Sequence, residues 1–214
     1  MSSLLILGAG GHANVVLETA LCAESFSSFA FLDDRHTQSD TPSTFHGWPI
    51  LGVFNKALDP LFSQRWSSVI VAIGDPYKRL SWLQRLREVG YEVPVLIHPT
   101  AWVSPSAVLG AGTVIFAHSS VQSNAAVGSG VILNTGCSVD HDAVLGDCVH
   151  ICPGAHLAGR VRVGSSSWIG IGSSVIQQIT IGEGVTVGAG AAVIDDLPDF
   201  VTAVGVPARI LERE

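Results

Sequence analysis

Charge is scarce in this chain of 214 residues: Lys, Arg, Asp and Glu make up 14%, against 47% hydrophobic residues. That balance excludes a disordered chain and a charge-laced helical rod. Long apolar runs are lacking as well. None approaches the roughly 20 residues that a bilayer-spanning helix needs, so no membrane insertion is expected. The opening Met1–Gly8 has no positive n-region and reads as a first β-strand rather than a secretory signal. The four cysteines, Cys22, Cys137, Cys148 and Cys152, form no CxxC pair and no metal-finger spacing. Reduced thiols in a cytoplasmic protein are therefore expected. A basic excess is missing too, and a net charge of −7 argues against nucleic acid as the main partner.

What is abundant is glycine, with 23 residues, and one internal period. Stepping by six from Ile97 through Val103, Leu109 and Ile115 to Val193 meets Ile, Leu or Val at all 17 positions, with no insertion. A second column, four residues after each of these, is mostly small: Ala101, Ala107, Thr113, Ser119, Ala125 and onward. Glycine recurs at the second and fourth places of the hexad (Gly110 and Gly112, Gly128 and Gly130, Gly182 and Gly184), where a turn needs positive φ or close backbone approach. A period of six is neither helical nor alternating. It fits a prism of short strands, three hexads to an 18-residue coil and five to six coils in all, whose stacking buries a core that no single coil could bury. Such a prism could serve as a scaffold or carry a zinc site of the γ-carbonic anhydrase kind, so the fold alone does not decide function.

Residues 1–96 have another texture. Leu4–Leu7 reads as a buried strand, Gly8-Ala9-Gly10-Gly11-His12-Ala13 as a turn into a helix ending near Cys22, and Phe29–Leu32 as a second strand ending in Asp33-Asp34. Val69–Ile73 reads as a third strand, and Gly74-Asp75-Pro76 opens a helix to about Val89. This alternation predicts a small Rossmann-like parallel sheet. Gly8, Gly10 and Ala13 satisfy the G-x-G-x-x-G/A pattern, with an acidic pair about 20 residues on. The unit lacks a second mononucleotide half, so a nucleotide-sugar diphosphate fits better than a dinucleotide. The glycine turn and helix N-terminus suit phosphate, or serve structure alone.

The densest polar cluster in the repeat is Asn134 to Asp142, followed by His150 to His156. His141 stands between Asp140 and Asp142, which can hold its ring and raise its basicity. Acyl transfer from a thioester to an amine or hydroxyl needs such a general base. His150 lies nine residues on, half a coil, so the two histidines sit on different sides of one prism. If both serve one site, that site lies between subunits. A closed cyclic assembly, a trimer, is expected to supply it. His36 and His46 read as solvated surface residues. His118, one coil plus five residues before His141, could be its near neighbour, and zinc would require three imidazoles to converge.

With these residues in hand, the chain resembles the NeuD/PglD-type sugar acyltransferases, the family of sialic acid O-acetyltransferases and bacillosamine-pathway N-acetyltransferases. The resemblance runs through Gly8 to His12, Phe31 to Asp34, Ala72 to Asp75, Ile97 to Pro99, Ile132 to Thr135, Val139 to Asp142, His150 to Gly154 and Val204 to Arg209. It implies an α/β domain (1–96) on a left-handed parallel β-helix (97–214). It further implies direct acetyl transfer from acetyl-CoA, with no resident metal, to an amino or hydroxyl group of a UDP-linked sugar. In that frame His141 would be the base and Asp142 its orienting partner, and Asn134 would contact the sugar. Gly10, His12, Asp33 and Asp34 would hold the uridine diphosphate, with Gly74 also on the substrate side. His150 of the neighbouring subunit, with Gly159, Ile171 and Ala189, would line the acetyl-CoA groove, and the Gly159 amide would face the oxyanion. The competing readings are a non-catalytic nucleotide-sugar-binding module and a serine or small-molecule acetyltransferase.

Overall fold

The structure, a computed structural model, describes residues 3–35 and 43–211; His36 lies outside them. The chain divides into two compact units, the first ending at Leu96 and the second starting at Ile97.

In the first unit β1 (Ser3–Leu7) leads through the glycine turn to α1 (Gly11–Cys22) and β2 (Ser28–Leu32). A small hairpin follows, β3 (Thr44–Phe45) and β4 (Trp48–Pro49), then a 3-10 turn and α2 (Pro60–Arg65). The last elements are β5 (Ser68–Val71) and α3 (Pro76–Val89). The three long strands form a parallel sheet in the order β2-β1-β5. Leu4 to Leu7 are wholly buried, because a central parallel strand is covered on both faces and reads as an unbroken apolar run. The sequence places the third strand at Val69–Ile73. It is shorter, because Ile73 and Gly74 leave the sheet and give their carbonyls to Arg79 Nη1 at 2.7 and 2.8 Å. The hairpin, the 3-10 turn and α2 have no counterpart in the sequence reading; each is too short to carry a period.

The second unit is a β-solenoid of about six coils. Its two-residue strands pair in parallel at an offset of 18 residues, as in Ile132 with His150, Ser138 with His156 and Val144 with Arg162. Both inward columns meet in one core running from Ile115 to Ala208. The hydroxyls among them are satisfied by backbone: Thr113 Oγ1 donates to the Gly128 carbonyl at 2.8 Å, and Ser167 Oγ to that of Gly182 at 2.8 Å. Three faces alternate along the chain. The first holds Ile132–Leu133 and His150–Ile151, the second Ser138–Val139 and His156–Leu157, the third Val144–Leu145 and Arg162–Val163.

Each face ends in a corner residue of positive φ, and the three corner columns differ in chemistry. After the first face it is His118, then Gly136, Gly154, Gly172 and Gly190. After the third it is mostly glycine, with Cys148 and Ser166. After the second it is Asn124, Asp142, Arg160 and Gln178, all polar side chains. One corner of the prism is thus lined with functional groups at left-handed positions that glycine would occupy more cheaply. Among the described residues no helix is long and apolar enough to cross a membrane.

Candidate functional site

In the first unit the ends of β1, β2 and β5 surround a cleft of about 620 Å³, lined by Gly10, His12, Asp34, Arg35, Gly74 and Lys78 among others. Gly8 is obligatory there. Its φ is +114°, and a Cβ would lie 2.6 Å from the Ala72 carbonyl oxygen, so the two loops close only over hydrogen. Gly10 caps α1 without a side-chain bond, the first helical turn holds no acid, and Gly10, Gly11 and His12 at this helix start line the cleft. All five expected residues of this subsite, Gly10, His12, Asp33, Asp34 and Gly74, line it.

Their states differ from a simple ribose-and-phosphate cradle. The buried Asp33 carboxylate accepts from Ala9 N at 2.7 Å, Arg35 N at 2.8 Å, Arg35 Nε at 2.9 Å and Arg35 Nη2 at 2.8 Å. The Arg35 side chain foremost holds its pKa down at about 2. Asp34 accepts from Phe54 N at 2.9 Å. Burial first, then the charge of Arg79, lowers His12 to about 4, so its ring is neutral at pH 7. His46 is not merely solvated; its Nε2 is 2.8 Å from Asn14 Oδ1 on α1. Arg35, Lys78 and Trp82 in the cleft escaped the sequence reading, since only the folded loops bring them to the glycine turn.

In the second unit His141 stands on the polar corner with its side chain 52% exposed. Its Nδ1 lies 2.8 Å from Asp142 Oδ2. The ionised carboxylate accepts that proton, which leaves the Nε2 lone pair free. Asp142 also accepts from Asn124 Nδ2 at 3.3 Å, and Arg160 Nε is 3.8 Å away. Its carboxyl is held below the usual range, chiefly by the bond to His141 and then by Asn124. Asp140 does not touch the ring: Oδ1 accepts from the His141 backbone N–H at 2.7 Å, fixing the main chain instead. Nε2 stands over Gly159, one coil on, where a Cβ would overlap the ring. His118 is not a neighbour of His141. The 18-residue register aligns it with Gly136, one corner earlier, and puts Ser123 next to Asp142, whose N–H donates to its carbonyl at 2.9 Å. Among the described residues no three His, Cys, Asp or Glu side chains converge as a metal set.

The first face carries a second cleft of about 440 Å³, lined by Asn134, His150, Cys152, Trp168, Ile171 and Ala189 among others. Asn134 Nδ2 is 3.2 Å from His150 Nε2, and the Trp168 ring lies 4.1 Å from that of His150. Trp168 was also missed, although an aromatic at an outward strand position was the available signal. Burial raises the Cys152 thiol to about 12, so it is inert. Within one chain, then, the expected residues fall into two groups: His141, Asp142 and Gly159 at the polar corner, and Asn134, His150, Ile171 and Ala189 in the first-face cleft.

Residues 3–86 match the PglD N-terminal domain. The whole chain is 42% identical to the acetyltransferase domain of PglB from Neisseria gonorrhoeae FA1090 in complex with acetyl coenzyme A, with a TM-score of 0.89 and 98% of both chains covered. It is 37% identical to PerB from Caulobacter crescentus in complex with CoA and GDP-perosamine, with a TM-score of 0.91, covering 99% of this chain and 98% of that one. It is 38% identical over 120 residues, 55% of its own length, to the UDP-N-acetylbacillosamine N-acetyltransferase of Bacillus subtilis (strain 168); the match spans about half, 52%, of that curated relative.

Proposed function

Because this chain belongs to the PglD-type sugar acyltransferases, we propose that it transfers an acetyl group from acetyl-CoA to the amino group of a nucleotide-linked sugar, with His141 as general base. The observation that carries the reading is the His141–Asp142 pair at 2.8 Å, with Nε2 open above Gly159. A base oriented by a carboxylate and unencumbered on its other nitrogen takes a proton from an attacking amine. A pure binding module has no use for it. The first unit holds the nucleotide, and the second carries the chemistry.

The acceptor amine attacks the thioester carbonyl as Nε2 removes its proton, and the Gly159 amide donates to the oxyanion. Collapse expels the CoA thiolate, which the imidazolium reprotonates. No acyl-enzyme forms: Cys152, the thiol that lines the first-face cleft, is buried and protonated. Acetyl-CoA lies along the first-face cleft, with His150, Trp168, Ile171 and Ala189 as its walls and Asn134 toward the acceptor. Since His141 and His150 lie on different faces, the working site joins the polar corner of one subunit to the first-face cleft of the next in a homotrimer. A cytoplasmic location accords with the need for acetyl-CoA and with four cysteines that form no disulfide.

The test is product analysis. Incubation with acetyl-CoA and a panel of UDP-, GDP- and CMP-linked amino sugars should convert one of them to a product heavier by one acetyl group and stable to hydroxylamine, as an amide is. A hydroxylamine-labile product would assign O-acetylation. No product on any member would sink the assignment.

A further inference from the structure

We propose that Arg35 is the residue that grips the diphosphate of the nucleotide-sugar, and that Asp33 serves as its anchor; this rests on reading the first-unit cleft as the nucleotide site. Arg35 has five N–H donors in a fixed fork. Three of them are used internally: Nε bonds Asp33 Oδ1 at 2.9 Å, and Nη2 bonds Asp33 Oδ2 at 2.8 Å and the Ala9 carbonyl at 2.9 Å. Nη1 has no partner among the described residues. The Arg35 side chain is nevertheless 73% exposed, and a Cβ on Gly10 would lie 3.6 Å from Nη2. The fork is thus locked against the glycine turn with one nitrogen left over, beside the uncapped start of α1.

That geometry belongs to an anion clamp. A free arginine loses much of its rotamer entropy when it binds a ligand, whereas one already tied to a buried carboxylate is preorganised. Formal charge in the cleft is balanced, with Arg35 and Lys78 set against Asp33 and Asp34, and His12 is neutral. Bulk attraction therefore contributes little, and a dianion must be recognised by aimed donors. Arg35 Nη1, beside the uncapped start of α1, is such a donor. Asp33, with both oxygens engaged, has its acceptor capacity directed inward; the ribose and base are left to Asp34 and the backbone.

The experiment measures binding to the intact protein by calorimetry, using UDP against uridine and GDP against guanosine. Arg35→Gln should weaken the diphosphate that the wild type prefers by about ten- to a hundredfold, and leave its parent nucleoside within about twofold. The KM for the nucleotide-sugar should rise with kcat and the KM for acetyl-CoA little changed. Should Arg35→Gln fail to fold, Arg35→Lys keeps the ion pair and should show the same selective loss at about three- to tenfold. Asp33 also accepts from the backbone of Ala9 and Arg35. The double variant Asp33→Asn/Arg35→Gln should therefore lose less diphosphate affinity than the sum of the two single losses, the part of the anchor that acts through the fork being already gone. Equal losses on diphosphate and nucleoside, no loss on either, or an added nucleoside loss from Asp33→Asn would each overturn the inference. A wild type that binds neither diphosphate would remove the nucleotide site itself, which is a distinct failure.

Discussion

At the scale of single residues, His141 is oriented by Asp142, the one side chain its ring bonds among the described residues, and positioned over Gly159. Asp142→Asn removes the negative acceptor and with it the preference for the reactive tautomer. Turnover should fall about tenfold or more, with both KM values unchanged, in a steady-state assay. Gly159→Ala tests position rather than chemistry. The added methyl overlaps the ring, which is half exposed and free to swing outward, so the fold loses little. A displaced base is expensive for the reaction, on the order of a hundredfold per ångström. The expected result is a large drop in kcat at nearly unchanged melting temperature; a drop in both would mean that Gly159 is needed by the coil and not by the base. His141 was legible in the sequence because two carboxylates flank a histidine inside an apolar repeat. The division of labour between them was not, because sequence spacing cannot say which carboxylate points at a ring and which at an amide. Arg35 was invisible for a related reason: its meaning lies in the fold of the Ala9 loop, 26 residues away.

At the scale of elements, glycine has two distinct jobs in the solenoid, and substitutions should separate them. Gly146, at the second place of its hexad, has the backbone of Ser165 2.6 Å from its would-be Cβ, while Gly154, at a fourth place, has open space and a φ of +63°. Gly154→Ala should cost about 1–2 kcal/mol, the penalty of a left-handed alanine. Gly146→Ala should cost more, because the next coil cannot approach; thermal melts of the two variants decide it. Both places were foreseen from the repeat, since a strict period of six makes column chemistry visible. The first unit was legible only in its long elements. Its short hairpin and 3-10 turn follow from tertiary context and have no period to read. In α1, the burial of His12 makes a pH prediction. The folded chain keeps its ring neutral down to about pH 4, while an unfolded histidine titrates at 6.5. Between those values the unfolded state holds the extra proton, so stability falls as pH is lowered and the difference is absent above the window. Urea unfolding should show a loss on the order of 2 kcal/mol from pH 7 to pH 5, and His12→Asn should flatten it.

At the scale of the molecule, the two groups of site residues lie on different faces of one prism, and the proposed trimer joins them across subunits. His141→Ala and His150→Ala chains, each nearly inactive, should complement when unfolded and reassembled together. In a random mixture roughly a quarter of the interfaces would combine an intact corner with an intact cleft, so about that fraction of activity should return. No recovery would place both histidines in service of a single chain's site, or remove His150 from the site altogether.

The role of His141 is tested by the rate of free-thiol release from acetyl-CoA with the accepted amino-sugar nucleotide, in wild type and in His141→Ala. A loss of about a hundredfold or more in kcat, at unchanged KM for both substrates, is the predicted result. Equal rates in the two proteins would leave the fold and the clefts standing but contradict the base, and with it the mechanism built on the Asp142–His141 pair.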